Sequence, residues 1–507
     1  MKLSLEDFQK YKSQFKLGNL TTESFNSKSK HLSEELKTNL LNSIEILHSI
    51  DGDALNILRY KNEEIFNLQL KIQNVLQSGN KVFLSGCGAT GRLAISMEKL
   101  YREMHCKELG EDQVVGFMAG GDYALISAVE SFEDNFEYGE KQLLELGFTQ
   151  DDLLLSVSEG GETNFVIGTA NKAAIVSKHS PYFIYCNPDC ELKGIKRSQG
   201  IITNSDIVKL NLNVGAMAIS GSTRMQATTV QMIAIGFGLL YKHEDLKSFN
   251  KSFNEFLDDL IQLDTSKLNE LIIEESEQYK AGGIVTYRAS ADLAISVLTD
   301  TTERAPTFSL TGFEKITDSE LSLSYLAITK ELNITGAWEK LLSRTPRCLD
   351  WDELPRDISG VEILKFDISE SCIQRRKDLN PKHLLFEIQN HHGGIQMDAG
   401  DVGMSIPLTC KDLFFRHLCM KLYMNTHSTL VMGLLGRYQG NMMTYVKASN
   451  LKLVDRACRY IEELLKQEDI EIDSEKILSL VFEHMESKTR DKPIVLFVKD
   501  LIKAELN

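Results

Sequence analysis

The chain has 507 residues, 56 Lys+Arg against 72 Asp+Glu, and a formal net charge of −16. With 42% hydrophobic and 25% charged residues it fits a globular protein of two or three domains rather than a disordered or fibrous one. No apolar run approaches the ~18–20 residues of a membrane span, Met1–Lys10 lacks the apolar stretch of a signal peptide, and no Lys/Arg stripe offers a grip on nucleic acid.

The first ~75 residues read as helical, with apolar positions around Leu40–Leu47 and Ile57–Leu70 at helical spacing. From Val82 the rhythm changes. Val82–Leu84, Val114–Met118, Leu153–Val157, Tyr182–Tyr185 and Ile207–Leu210 are short apolar runs, separated by helix-length segments such as Asn164–Val176. Short buried strands alternating with helices predict a parallel sheet covered on both faces.

The pattern then recurs. Gly282–Tyr287 precedes a helical stretch at Ala289–Thr302, about 200 residues after the first such unit, and Phe414–Tyr438 (MGLLGRY) corresponds to Ser222–Lys242 (GFGLLYK). Two similar α/β layers packed as a pseudo-dimer are expected. Ile470–Asn507 reads as short helices broken near Asp491-Lys492-Pro493. The nine cysteines show no regular spacing, so reduced thiols in a cytoplasmic protein are expected rather than disulfides. The adjacent His391-His392 pair has no partner pair at zinc-ligand spacing, and no metal or cofactor is expected.

Two loops could hold an anion. Gly86-Cys87-Gly88-Ala89-Thr90-Gly91-Arg92 joins a strand to a helix, where glycines admit close backbone approach and free N–H groups face a ligand. It also satisfies G-x-G-x-x-G, but the acid that a dinucleotide site needs ~20 residues on is ill placed. Ser156–Thr163 gathers hydroxyls and amides at a second helix start, which suits a phosphate or an ordinary capped turn. Glu159 and Glu162 oppose the phosphate reading unless they face solvent. Ser220–Arg224 is a third hydroxyl-rich helix start.

GCGATGRL, MAGGDYALISAVESFED, SVSEGGETNFVIGTAN, YCNP and SGSTRMQA, in that order, resemble the sugar isomerase (SIS) domain family. The closer resemblance is to its branch of bacterial N-acetylmuramic acid 6-phosphate etherases and animal glucokinase regulatory protein. TTERAPTFS, GLLGRYQGNMM and ASNLKLVDRA in the second half, and Leu20–Asn26 near the start, resemble the same branch, so the likeness covers roughly residues 20–465.

The resemblance implies two tandem flavodoxin-like, three-layer αβα SIS domains with parallel sheets. Residues 1–75 form a helical N-terminal segment, 76–260 the first domain, 261–465 the second, and 466–507 a small C-terminal helical lid. It also implies a hexose 6-phosphate ligand such as fructose 6-phosphate, held by Gly88, Ala89, Thr90, Ser158, Glu159, Gly160, Thr163 and Lys452. Glu133 would contact sugar hydroxyls and Glu303 would reach in from the second domain. These two are the catalytic candidates if the protein is a lyase like the etherases or an aldose–ketose isomerase. A sugar kinase is the partner implied by the regulatory protein, and the chain is expected to work as a monomeric pseudo-dimer or a homo-oligomer.

The sequence departs from the etherase pattern in three places. Leu100 stands where the etherases carry a glutamate, with Glu98 as a nearby substitute. Thr286–Ala291 lacks the glycines of the first loop, so one working site per chain is expected. Gln226 and Thr228 replace the Lys and Gly common after S-[ST]-R-M.

Overall fold

A computed structural model describes residues 5–11, 17–105, 113–354, 356–446, 448, 451–485 and 492–506. The expected break in the tail falls partly on Asp491, outside the described residues.

The N-terminal part is helical as expected, its longest helices being Leu40–Leu58 and Asn62–Gln77. The first starts at Asn39, whose side chain accepts from Asn42 N at 3.0 Å. Five strands follow: β1 (Val82–Gly86), β2 (Val114–Met118), β3 (Leu153–Val157), β4 (Tyr182–Tyr185) and β5 (Val208–Asn211). They pair in the order β2-β1-β3-β4-β5, all parallel. β1 to β4 are buried throughout, which is why they read as unbroken apolar runs. The order reverses between β1 and β3, and the loops leaving those two strands flank the crevice where such sheets bind ligands.

The second sheet contains β6 (Ile284–Ala289), β7 (Ser324–Ile328), β8 (His383–His391), β9 (Gly394–Ala399) and β10 (Val402–Pro407), in the order β10-β9-β8-β6-β7. Its β7-β6-β8 core is parallel and repeats the β2-β1-β3 arrangement of the first sheet. The expectation of a parallel sheet does not extend further: β8, β9 and β10 are antiparallel. The cause is local. His392-Gly393 and Gly400-Asp401 form tight turns, and two-residue turns join antiparallel neighbours, whereas a parallel crossover needs a helix-length connection.

The two halves meet through helices. Ala89–His105 and Gln226–Leu240 of the first pack on Ala294–Phe308 and Leu413–Leu434 of the second. Gln226–Leu240 is buried along its whole length, so its apolar residues are spread round the helix rather than confined to one stripe. Polar clamps cross the same interface. Lys421 Nζ donates to Arg224 O at 2.9 Å and Thr229 Oγ1 at 2.8 Å, and Arg224 pairs with Asp300 at 2.9 Å. The helix Ala294–Phe308 starts five residues later than the expected Ala289, because β6 runs on to that residue.

Beyond the second sheet, Leu451–Lys466 folds back against the N-terminal segment: Arg456 and Arg459 both pair with Glu23, the latter at 2.9 Å. Ser474–His484 and Ile494–Leu506 pack on its outer side. Among the described residues, no helix is long and apolar enough to cross a membrane.

Candidate functional site

β1 ends at Gly86, where an added Cβ would lie 2.3 Å from the Thr90 carbonyl carbon, so the loop folds back too tightly for any side chain there. Gly88 follows in the left-handed region at φ 56°. The turn is closed by Thr90, whose hydroxyl donates to Cys87 O at 2.9 Å and accepts from Cys87 N at 3.0 Å. Ala89 then opens the helix to His105. Burial, followed by the nearby Glu133, Glu159 and Glu162, pushes the Cys87 thiol well up, so it is no thiolate nucleophile.

Ser85 and Ser156 are register partners in adjacent parallel strands, so the loop after β3 leaves the sheet alongside the loop after β1. Within it, Ser158 Oγ accepts from Gly161 N at 3.1 Å and donates to Thr163 Oγ1 at 3.4 Å. Thr163 is the N-cap residue of Asn164–Val176, but its side chain makes no capping bond and is turned to Ser158 instead. Asn187 holds the Gly160 carbonyl at 3.0 Å. Thr90, Ser158, Gly160 and Thr163 are thus gathered at one end of the first sheet, with two helix N-termini opening there.

Lys452 arrives from the opposite end of the sequence, in the first turn of Leu451–Lys466. Its ammonium lies 2.6 Å from Glu162 and 3.4 Å from Glu133, which closes the short helix Glu130–Glu133. Burial works against the charge on Lys452, but Glu162 and Glu133 outweigh it and hold the ammonium protonated. Glu162 does not face solvent. Burial would raise its carboxyl, yet Arg197 at 2.6 Å and Lys452 hold it down at about 2.

Glu159 is also buried, and its environment is the opposite. Burial pushes its carboxyl up to about 7 and nearby Glu303 adds to the rise, against its own backbone N–H, Thr228 and Lys452. Glu303 does reach the first half: it forms a buried ion pair with Arg92, whose guanidinium is further fixed by the Leu125 and Ala124 carbonyls. Ala89, Thr228, Glu303, Lys421 and Asn425 line a pocket between the halves.

Glu98 is not available as a replacement for the acid missing at Leu100. Leu100 is fully buried, and Glu98 is enclosed by Arg102, Arg344 and Arg347 at 3.1, 3.0 and 2.9 Å. In the second half, the segment after β8 turns straight back into β9 rather than opening a helix. The hairpin turn after β8 stands where a phosphate loop would be, and Arg416 donates there to His391 O at 2.8 Å and Leu408 O at 2.9 Å.

Arg92, Arg197 and Thr228 complete the site without having been singled out from sequence as ligand-facing. Arg92 lies inside the first loop motif and was legible there; Arg197 carries no sequence signal. Among the described residues, no group of three or more His, Cys, Asp or Glu side chains could hold a metal ion.

Residues 67–174 match the family model described as glucokinase regulatory protein N-terminal SIS domain. The chain is 31% identical over 259 residues to an N-acetylmuramic acid 6-phosphate etherase of Bacillus cereus, covering 47% of this chain and 80% of that one. It is 30% identical over 219 residues to the etherase of Photobacterium profundum, covering 43% and 67%. Among solved structures, a tagatose-6-phosphate ketose/aldose isomerase from Escherichia coli aligns over 78% of this chain and 94% of its own, at TM-score 0.43 and 12% identity.

Proposed function

Because the chain belongs to the sugar isomerase (SIS) domain family, whose domains bind phosphosugars, we propose that it is a sensor of a hexose 6-phosphate such as fructose 6-phosphate. The phosphosugar site is assigned to the first of two domains, residues 76–260, completed by Glu303 and Lys452 from beyond it. The observation that carries this reading is the pairing of the β1 and β3 loops. They bring Thr90, Ser158 and Thr163 and two helix N-termini to one crevice beneath the Lys452 ammonium. Amides, hydroxyls and a cation are what a phosphate dianion needs. Glu133, one-third exposed on the other side of Lys452, suits the sugar hydroxyls as an acceptor.

Sensing is favoured over catalysis by the fate of the acids. Leu100 supplies no proton carrier, and Glu98 is closed in by three arginines. A thermal-shift titration tests the reading: fructose 6-phosphate raises the melting temperature with saturation, and fructose does not. The sugar-kinase partnership rests on the likeness to the regulatory protein. Its test is inhibition of a hexokinase-type enzyme that depends on the bound phosphosugar.

A second reading, a lyase acting on an N-acetylated amino-sugar 6-phosphate, is favoured by the etherase relatives and by the Glu159 carboxyl titrating near neutral pH. In it, Glu133 or Glu303 contacts the reacting sugar while Glu159 carries a proton. Release of D-lactate from N-acetylmuramic acid 6-phosphate, abolished by Glu303→Gln, supports this reading over the sensor.

A further inference from the structure

Gly160 and Gly161 lie in the loop after β3, and the peptide joining them is held at both ends. Asn187 Nδ2 donates to the Gly160 carbonyl at 3.0 Å, and the Gly161 N–H donates to Ser158 Oγ at 3.1 Å. The preceding peptide is turned the same way, with Glu159 O accepting from Cys186 N at 2.9 Å. In a trans peptide the carbonyl and the N–H point to opposite sides. Cys186 and Asn187, just after β4, therefore draw both carbonyls to one side of the loop and turn the Gly160 and Gly161 N–H groups to the other.

Asn187 has one orientation in which to do this. It is fully buried, and its side-chain amide meets Thr22 of the N-terminal segment twice: Thr22 N donates to Oδ1 at 2.9 Å, and Nδ2 donates to Thr22 Oγ1 at 3.0 Å. A backbone N–H can only donate and a carbonyl can only accept. Exchanging Oδ1 and Nδ2 would set donor against donor at Thr22 N and acceptor against acceptor at Gly160 O. Thr22 is itself fixed: its carbonyl accepts from Gly221 N at 3.1 Å, and its neighbour Thr21 donates twice to Glu191 at 2.8 Å.

We propose that Asn187 is a positioning residue for phosphosugar binding: set by Thr22, it pins the Gly160 carbonyl so that the loop after β3 presents N–H groups rather than a carbonyl to the phosphate. The inference rests on the phosphosugar reading of the site. A peptide between two glycines rotates at little steric cost. A rotated Gly160–Gly161 peptide turns its oxygen toward the Ser158 hydroxyl, which sets a partial negative charge beside the bound anion. Through Asn187 the N-terminal segment thus sets the affinity of a crevice it does not line.

The test combines calorimetric titration of the full chain with fructose 6-phosphate and hydrogen exchange of single amides. Asn187→Ala is expected to weaken binding about tenfold, the equivalent of one lost hydrogen bond, at temperatures where the variant is folded. It is also expected to speed exchange of the Gly161 amide and to leave that of Leu84, in the core of β1, unchanged. A purely structural role lowers the melting temperature and moves neither quantity, so a folded Asn187→Ala that binds like the wild type overturns the proposal. If Asn187→Ala does not fold, Thr22→Val decides, since it removes only the hydroxyl that orients the Asn187 amide. Weaker binding that Thr22→Ser restores supports the proposal, and binding equal to the wild type overturns it. If the wild-type chain binds no hexose phosphate, the phosphosugar reading fails by itself. The pin is then decided by exchange alone: a faster Gly161 amide in Thr22→Val supports it, and an unchanged one overturns it.

Discussion

Lys452 Nζ lies 2.6 Å from Glu162 Oε1, although the two residues are 290 positions apart. The contact ties the start of the Leu451–Lys466 helix to the loop that follows β3. On the same helix, Arg456 and Arg459 hold Glu23, and Tyr460 donates to Ser220 O at 2.8 Å. One helix therefore braces the N-terminal segment, the loop after β3 and the Ser220–Arg224 turn together.

Lys452→Met removes the cation above the crevice and leaves Glu162 with Arg197 alone. A charge-assisted hydrogen bond of about 1.5–3 kcal/mol is lost, so affinity for fructose 6-phosphate falls about 10- to 100-fold. Isothermal calorimetry measures this, and Lys452→Arg recovers part of it.

Arg92→Leu strands Glu303 as a buried carboxylate between the halves. Removing one partner of such a pair costs about 3–5 kcal/mol. The double variant Arg92→Leu/Glu303→Leu recovers much of that loss, and a double-mutant cycle from urea unfolding gives the coupling directly.

Glu23 supplies an acid-sensitive clamp. Burial opposes its ionisation, but Arg456 and Arg459 hold it at about 2, against an ordinary 4.5. A lowered folded-state pKa stabilises the fold fully above the unfolded value. That contribution, about 3 kcal/mol, disappears as pH falls from about 4.5 to about 2. Glu23→Gln therefore shows a shallower fall in unfolding free energy over this window, and a lower stability at pH 7.

Gly86→Ala forces a methyl group to 2.3 Å from the Thr90 carbonyl carbon, a clash with backbone rather than a movable side chain. The expected cost is about 1–3 kcal/mol, together with loss of phosphosugar binding as Thr90 is displaced. Thermal unfolding and the same calorimetric titration check both effects.

The first half was legible because its strands are short apolar runs buried on both faces and its helices begin at polar turns. Asn164–Val176 was read from sequence with the bounds it has in the structure. The second sheet was only half legible. β6 and β7 carry the same apolar signal, whereas β8 alternates buried and half-buried residues and turns back through His392-Gly393. Those alternations and tight turns are the hairpin signal that the expectation of a repeated parallel unit overrode.

For the candidate site, the motifs singled out Thr90, Ser158 and Thr163, which leave the sheet on the neighbouring β1 and β3 loops. They could not place Lys452 against Glu133 and Glu162, or Arg92 against Glu303, because spacing along a chain does not encode contacts across a pseudo-dimer. The burial of Glu159 and Glu162 was likewise invisible. Two acids in the loop after β3 read as an objection to a phosphate there; in the structure Arg197 and Lys452 neutralise Glu162, and the Thr228 hydroxyl donates to Glu159.

In the proposed function, the crevice between the β1 and β3 loops holds a sugar phosphate by its phosphate. Calorimetric titration of the full chain at pH 7 with fructose 6-phosphate, beside fructose and inorganic phosphate, tests this most directly. The expected result is saturable binding of one fructose 6-phosphate per chain, none of fructose, and a loss of the signal in Ser158→Asp, which sets a carboxylate against the phosphate. Absence of binding at millimolar concentrations of fructose 6-phosphate and other hexose 6-phosphates, or binding that Ser158→Asp leaves unchanged, contradicts it.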